Sequence, residues 1–323
     1  MSDSEQLNPA CLRADPDLAG TGVRAAVYAQ NFVALITAVF VISRGKTKVV
    51  ERAAAEQSSL VLIATFALLV SAFVQAKTTG TSTYHAIIVL NLSWINSTIT
   101  LRYLPLFTKE DLQRKHNNRV ASWKTSAWTS PLFIMGSLQL SVLSAFGLWF
   151  WATVDTFASA RVQCAPQLPI SIPILNHTTR ANSSGIRIAS IVLYAFMALP
   201  GFNVWFFDKV ITLLVNPLTF ISLAFLNIFL GGKHLRATVT YGNVYFTFLV
   251  AINVAITIDT ELMVRQAAPA LQSGESQWTF GATLALFVLA LPWVRSPRRH
   301  SSPKENTLQS RVAEQDPARS SYP

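Results

Sequence analysis

Charge is scarce in this chain. Only 13% of its 323 residues are Asp, Glu, Lys or Arg, where a soluble domain carries about 25%. No polar stretch is long enough to bury a core of its own, which excludes a large soluble catalytic domain. Histidine and cysteine are also few, five and two, and neither shows zinc-ligand spacing. Only His85 falls within an apolar run. There is no Gly-rich phosphate loop and no RNA-binding signature. A retinal-type pigment needs a lysine deep in a span, and Lys209 sits at a predicted break instead. No Ser/His/Asp set has a recognisable spacing. The sequence therefore implies no catalytic residues, no cofactor and no metal, and reads as a non-enzyme. The first residues, MSDSEQLNPACLRADPDLAGTG, lack the basic region of a signal peptide.

What the chain has is apolar residues, 51% of the total, gathered in runs close to the roughly 20 residues that cross a bilayer as a helix. In lipid every backbone N–H and C=O must be paired internally, so such runs are helices. The expected class is an all-α polytopic transmembrane helix bundle. A polar extracytoplasmic leader, 1–22, precedes a helical domain, 23–294. Its spans are expected at about 23–42, 59–75, 84–101, 131–154, 186–207 and/or 210–231, 243–264 and 278–294. A disordered basic tail, 295–323, follows.

The net charge of +10 fits loops facing the cytoplasm, not nucleic acid. Arg44, Lys46, Lys48 and Arg52 follow the first run, and Arg102, Lys109, Arg114, Lys115, Arg119 and Lys124 follow the third. Those loops are placed inside, and the acidic leader and segment 155–187 outside or in a lumen. The same segment carries two N-glycosylation motifs, at Asn176 and Asn182. Cys11 and Cys164 both fall on the outer side, where a disulfide is allowed; two unpaired thiols are the alternative.

The stretch 186–231 is too long for one straight crossing. If each half crosses there are eight spans and the basic tail lies outside, against the charge rule. If it crosses once, kinked near Pro200-Gly201, there are seven and the tail lies inside, which the charge favours.

Ionisable and polar residues within spans are costly and mark candidate sites. Turning 100° per residue, His85, Ser93, Asn96, Ser97 and Thr100 share a face of span three, with Asn91 and Thr98 opposite. On the seventh span Asn253, Thr257, Thr260 and Glu261 share a face, with Asp259 turned away and both acids in the last two turns. A polar cavity would be lined by His85, Ser93, Asn96, Thr100, Asn253, Thr257 and Glu261; interhelical hydrogen bonding is the structural alternative. Arg265, four residues after Glu261, is a candidate partner for it on the helix surface.

Four stretches, taken in order, resemble a family of uncharacterised fungal multi-pass membrane proteins. They are DPDLAGTGVR from Asp15 with Tyr28-Ala-Gln30, HAIIVLNLSWIN from His85, LPGFN from Leu199, and ESQWTFGATLALFVLALP from Glu275. The family pattern has Gln where this chain has Ala282, so any role of that Gln is in doubt here. The resemblance implies membrane location and a fungal source, but no activity or substrate. Three functions remain open: a receptor-like or sensor protein with a cytoplasmic partner at 102–130 and 295–323, a small-solute or ion transporter using span three and Glu261, and a membrane-structural scaffold. The expected location is the plasma membrane or an endomembrane, with the lipid bilayer as a partner in every case.

Overall fold

The apolar runs pair their backbones as helices, and the helices outlast the runs. The computed structural model describes residues 14–44, 48–78, 80–98, 131–157, 169–172, 177–180, 183–229, 241–275, 277 and 283. The helices are α1 (Thr21–Arg44), α2 (Lys48–Thr78), α3 (83–98), α4 (Pro131–Ala152), α5 (Ser184–Met197), α6 (Phe202–Phe229) and α7 (Tyr241–Ala267). A 3-10 turn, Ala268–Ala270, extends α7. Among the described residues four helices are long and apolar enough to cross a membrane, over Thr21–Val39, Ala54–Thr78, Leu132–Ala152 and Val244–Ala270.

Several boundaries differ from expectation for local reasons. α2 begins at Lys48 and not Ser59, because Ala53-Ala54-Ala55-Glu56-Gln57 are strong helix formers that need no lipid. Asp208 and Lys209 do not interrupt the chain; they lie within α6. The break falls at 198–201 alone, where Pro200 disfavours a helical residue before it and Gly201 takes a left-handed φ of 81°. α7 runs to Ala267, so Asp259 lies just before its last two turns and Glu261 at their start. Helices make up the fold but for one short hairpin. Within segment 155–187, β1 (Pro169–Ile172) and β2 (His177–Arg180) form an antiparallel hairpin, Ile170 opposite Thr179. Outside lipid, a β-branched stretch can pair its backbone with a neighbouring strand. Cys11, Thr100, loop 102–130, Cys164, Asn176, Asn182, all but residue 283 of span 278–294, and the tail lie outside the described residues.

α3 is the centre of the bundle. From Tyr84 to Thr98 only Asn91 and Trp94 are not fully buried. α2, α4 and α7 each reach it: Thr65 bonds Asn96, Gln139 bonds Ser97, and Asn253 bonds Thr98. α3 and α7 run antiparallel, since Asn91 meets Asp259 while the later Thr98 meets the earlier Asn253. Along α4, Arg187 bonds the Ala152 carbonyl, the Tyr194 ring lies against Gly147, and Asn203 bonds Ser137. Partner numbers rise through the break as α4 numbers fall. α5 and the start of α6 therefore run one way along α4, antiparallel to it.

The apolar core also buries polar side chains, and the surface carries large apolar ones. Ser93, Asn96, Ser97, Gln139, Asn203 and Asn253 are buried, whereas Phe32, Phe66, Val70, Ile134, Val192 and Leu213 are exposed. In water that surface would be unstable. In lipid it loses nothing, and packing with interhelical hydrogen bonds joins the helices.

Candidate functional site

At the α1 N-terminal end of the bundle, five chain segments meet in a charged clasp. Ser82 caps α3 by accepting the His85 backbone N–H at 3.3 Å. Its hydroxyl also lies 2.6 Å from His85 Nδ1. With its own lone pair on the backbone N–H, the Ser82 O–H is placed to donate to Nδ1, which leaves Nε2 as the N–H that faces Glu275 at 3.4 Å. Glu275 Oε2 also accepts the Asp15 backbone N–H at 2.7 Å. The leader turn is thereby fastened to α3 through one carboxylate. Ala14 lies against the close approach at Gly274, whose φ is 128°. Burial pushes the Glu275 carboxyl up, but the His85 N–H, the Asp15 N–H and Arg24 outweigh it and hold it below the usual range. Burial raises the Asp15 carboxyl, with Glu275 and Asp17 adding, against His85 and the Leu18 N–H.

The second half of the clasp joins α1 to α7. Arg24 Nε stands 3.3 Å from Glu261 Oε1, and the Tyr28 hydroxyl donates to the same oxygen at 2.9 Å. Arg24 and Tyr28 are four apart, one above the other on α1. Glu261 thus pairs across the bundle with Arg24; Arg265 is exposed.

Deeper, the α3–α7 seam is lined by amides and hydroxyls. The Asn91 amide donates to Asp259 Oδ2 at 3.3 Å and Thr260 Oγ1 at 3.2 Å. One level below, three hydroxyls surround or belong to α3. Thr65, Ser97 and Thr98 each donate to a carbonyl of their own helix. They can then only accept, so Asn96, Gln139 and Asn253 turn their NH₂ groups toward them. Residues 96, 97 and 98 point 100° apart, so these pairs encircle α3 and do not converge on one point.

The structure thus distributes the residues that the sequence groups. His85 and Glu261 lie in the clasp. Asn96 faces α2, while Ser93 is buried and its carbonyl accepts the Ser97 hydroxyl. Asn253 faces Thr98, and Thr257 bonds back to the Asn253 carbonyl. Asn91 and Thr98, on the opposite face of α3, are what meets α7. Asp259, turned from the Glu261 face, still meets α3, because Asn91 straddles Asp259 and Thr260. The sequence reading missed Arg24, at the very start of a span, and Glu275, 190 residues from His85. Arg24 closes the DPDLAGTGVR stretch and Glu275 opens ESQWTFGATLALFVLALP. Among the described residues no three His, Cys, Asp or Glu come together as metal ligands. Comparison with protein-family models, curated proteins and solved structures finds no match to this chain.

Proposed function

We propose that this chain is a receptor-like or sensor protein with seven membrane crossings, its leader outside and its basic tail in the cytoplasm. The single direction of α5 and early α6 along α4 supports counting 186–231 as one crossing. The basic residues of 102–130 and 295–323 support an inside location for both. The observation that carries the reading is the clasp. It fastens two segments outside the apolar runs, the Asp15 turn and Glu275, to the start of α3, on which the other helices pack. A ligand that displaces either segment acts on the central helix. Output passes through 102–130 and the tail to a soluble cytoplasmic protein. Proximity labelling from a tail-fused ligase tests this. It should recover a signalling protein whose labelling changes in Glu275→Gln; recovery of lipid enzymes alone would defeat the reading.

The polar seam of Asn91, Thr98, Asn253 and Asp259 favours a second reading, a transporter of a small solute or ion. On that reading Asn253→Leu abolishes flux in proteoliposomes, and unchanged flux of an identified solute removes the seam from the pathway.

A further inference from the structure

We propose that Asp259 is a proton-binding site inside the bundle, occupied by a proton at rest. The acids of this region are treated unequally. Glu261 faces a guanidinium and a tyrosine hydroxyl, Glu275 a histidine and a backbone N–H, and Asp155 receives Arg187 at 2.6 Å. Asp259 faces an amide. Its Oδ2 shares the Asn91 NH₂ with Thr260. Its Oδ1 is shut off from solvent and has no hydrogen-bond partner. A bare carboxylate oxygen in a span is costly, and a proton on it removes the charge without a counter-ion.

Among the described residues the surroundings supply no alternative neutraliser. On α3 the facing group is Asn91, which is not ionisable. On α1, Arg24 and Tyr28 are engaged by Glu261. β1 has no ionisable residue in its sequence, and neither has the turn Ala268–Ala270. α6 meets α7 where Ile211 and Val215 pack on Tyr245 and Leu249. Leu249 lies about ten residues, roughly 15 Å, before Asp259, which leaves the exposed Lys209 at the far end. On α7 itself Thr260 spends its proton on the Ile256 carbonyl, and Arg265 is exposed. The site therefore takes a cation no larger than its single open oxygen requires. Among the described residues it holds one carboxyl and no cage of oxygens, which selects a proton over a metal ion. It goes beyond the receptor-like reading and does not depend on it.

The test uses the full chain in liposomes. Dicyclohexylcarbodiimide attacks protonated carboxyls in apolar surroundings, and peptide mass spectrometry locates the adduct. Asp259 should be modified at least tenfold more than Glu261, the yield should fall as pH is raised, and Asp259→Asn should remove it. Infrared difference spectra give a second measurement that does not depend on reagent access. Wild type minus Asp259→Asn should show a protonated carboxyl stretch at neutral pH that disappears in alkali. A difference spectrum without that band would overturn the proposal. So would protection of Asp259 from the reagent by sodium or potassium at fixed pH, since the ligand would then be the metal ion.

Discussion

Arg24 and Glu261 carry opposite charges on α1 and α7, and their surroundings are unequal: the arginine side chain is 8% exposed and the glutamate 39%. Breaking a fully buried pair costs about 3–5 kcal/mol. Water reaches Glu261, so Arg24→Gln should cost less, about 1–3 kcal/mol. A double-mutant cycle with Glu261→Gln, read as thermal midpoints in nanodiscs, should show coupling between the two positions. Additive losses would mean that the charges do not act as a pair. Glu275 gives a prediction of a different kind. Its folded-state carboxyl lies below the ordinary 4.5. The stability it contributes is thus fully present above that value and is lost as pH falls through the folded one. Asp15 has the opposite sign, because its folded-state value is raised: its contribution is full below the ordinary 3.8 and lost as pH rises through the raised value. The gap in midpoint between wild type and Glu275→Gln should hold constant near neutrality and close below about 4.5; a gap indifferent to acid would remove the ionised clasp.

At the level of elements, α4 and α5 meet where the Tyr194 ring lies over Gly147. A Cβ added at Gly147 would stand 2.6 Å from the Tyr194 ring. Tyr194 in turn accepts the Trp94 indole N–H at 2.8 Å. Gly147→Ala must push the ring away and break that bond, for a loss of about 1–3 kcal/mol and a change in tryptophan fluorescence. An unchanged midpoint and spectrum would mean that α5 is loosely held. These elements also show what a linear reading reaches. Long apolar runs announce α1, α2, α4 and α7, because hydropathy is local. Their ends are harder, because Lys48 to Gln57 extends α2 by helix propensity after the apolar signal stops. The α5–α6 break was legible from Pro200-Gly201, while Asp208-Lys209 gave a false one: charge interrupts a hydropathy plot without interrupting a helix. His85 and Glu261 stand out as ionisable groups in apolar sequence. The bonds His85–Glu275 and Arg24–Glu261 do not, since they join residues far apart in the chain and depend on which helix faces of the bundle meet.

For the whole molecule, the distribution of polarity and the direction of each helix bear on one another. Exposed Phe32, Phe66, Phe73, Ile134 and Val192 form a lipid-facing shell, and within it α2 and α3 form a hairpin about Gly80, whose φ is 78°. α3 and α7 are antiparallel, α3 meets α4 at Ser97 and Gln139, and α5 with early α6 opposes α4. If each of these passes crosses the bilayer, six crossings end with α7 rising to the side on which the leader began. The apolar segment 278–294 would then return the chain to the side of Arg44 and the basic loop 102–130. Two measurements on one sealed preparation check this. Endoglycosidase should shorten wild-type protein from the glycosylating cell but leave the Asn176→Gln/Asn182→Gln double variant unchanged. A tag after residue 323 should resist external protease until detergent is added. An externally cleaved tag would require a second crossing within 186–231, against the continuous antiparallel run of Arg187, Tyr194 and Asn203 along α4.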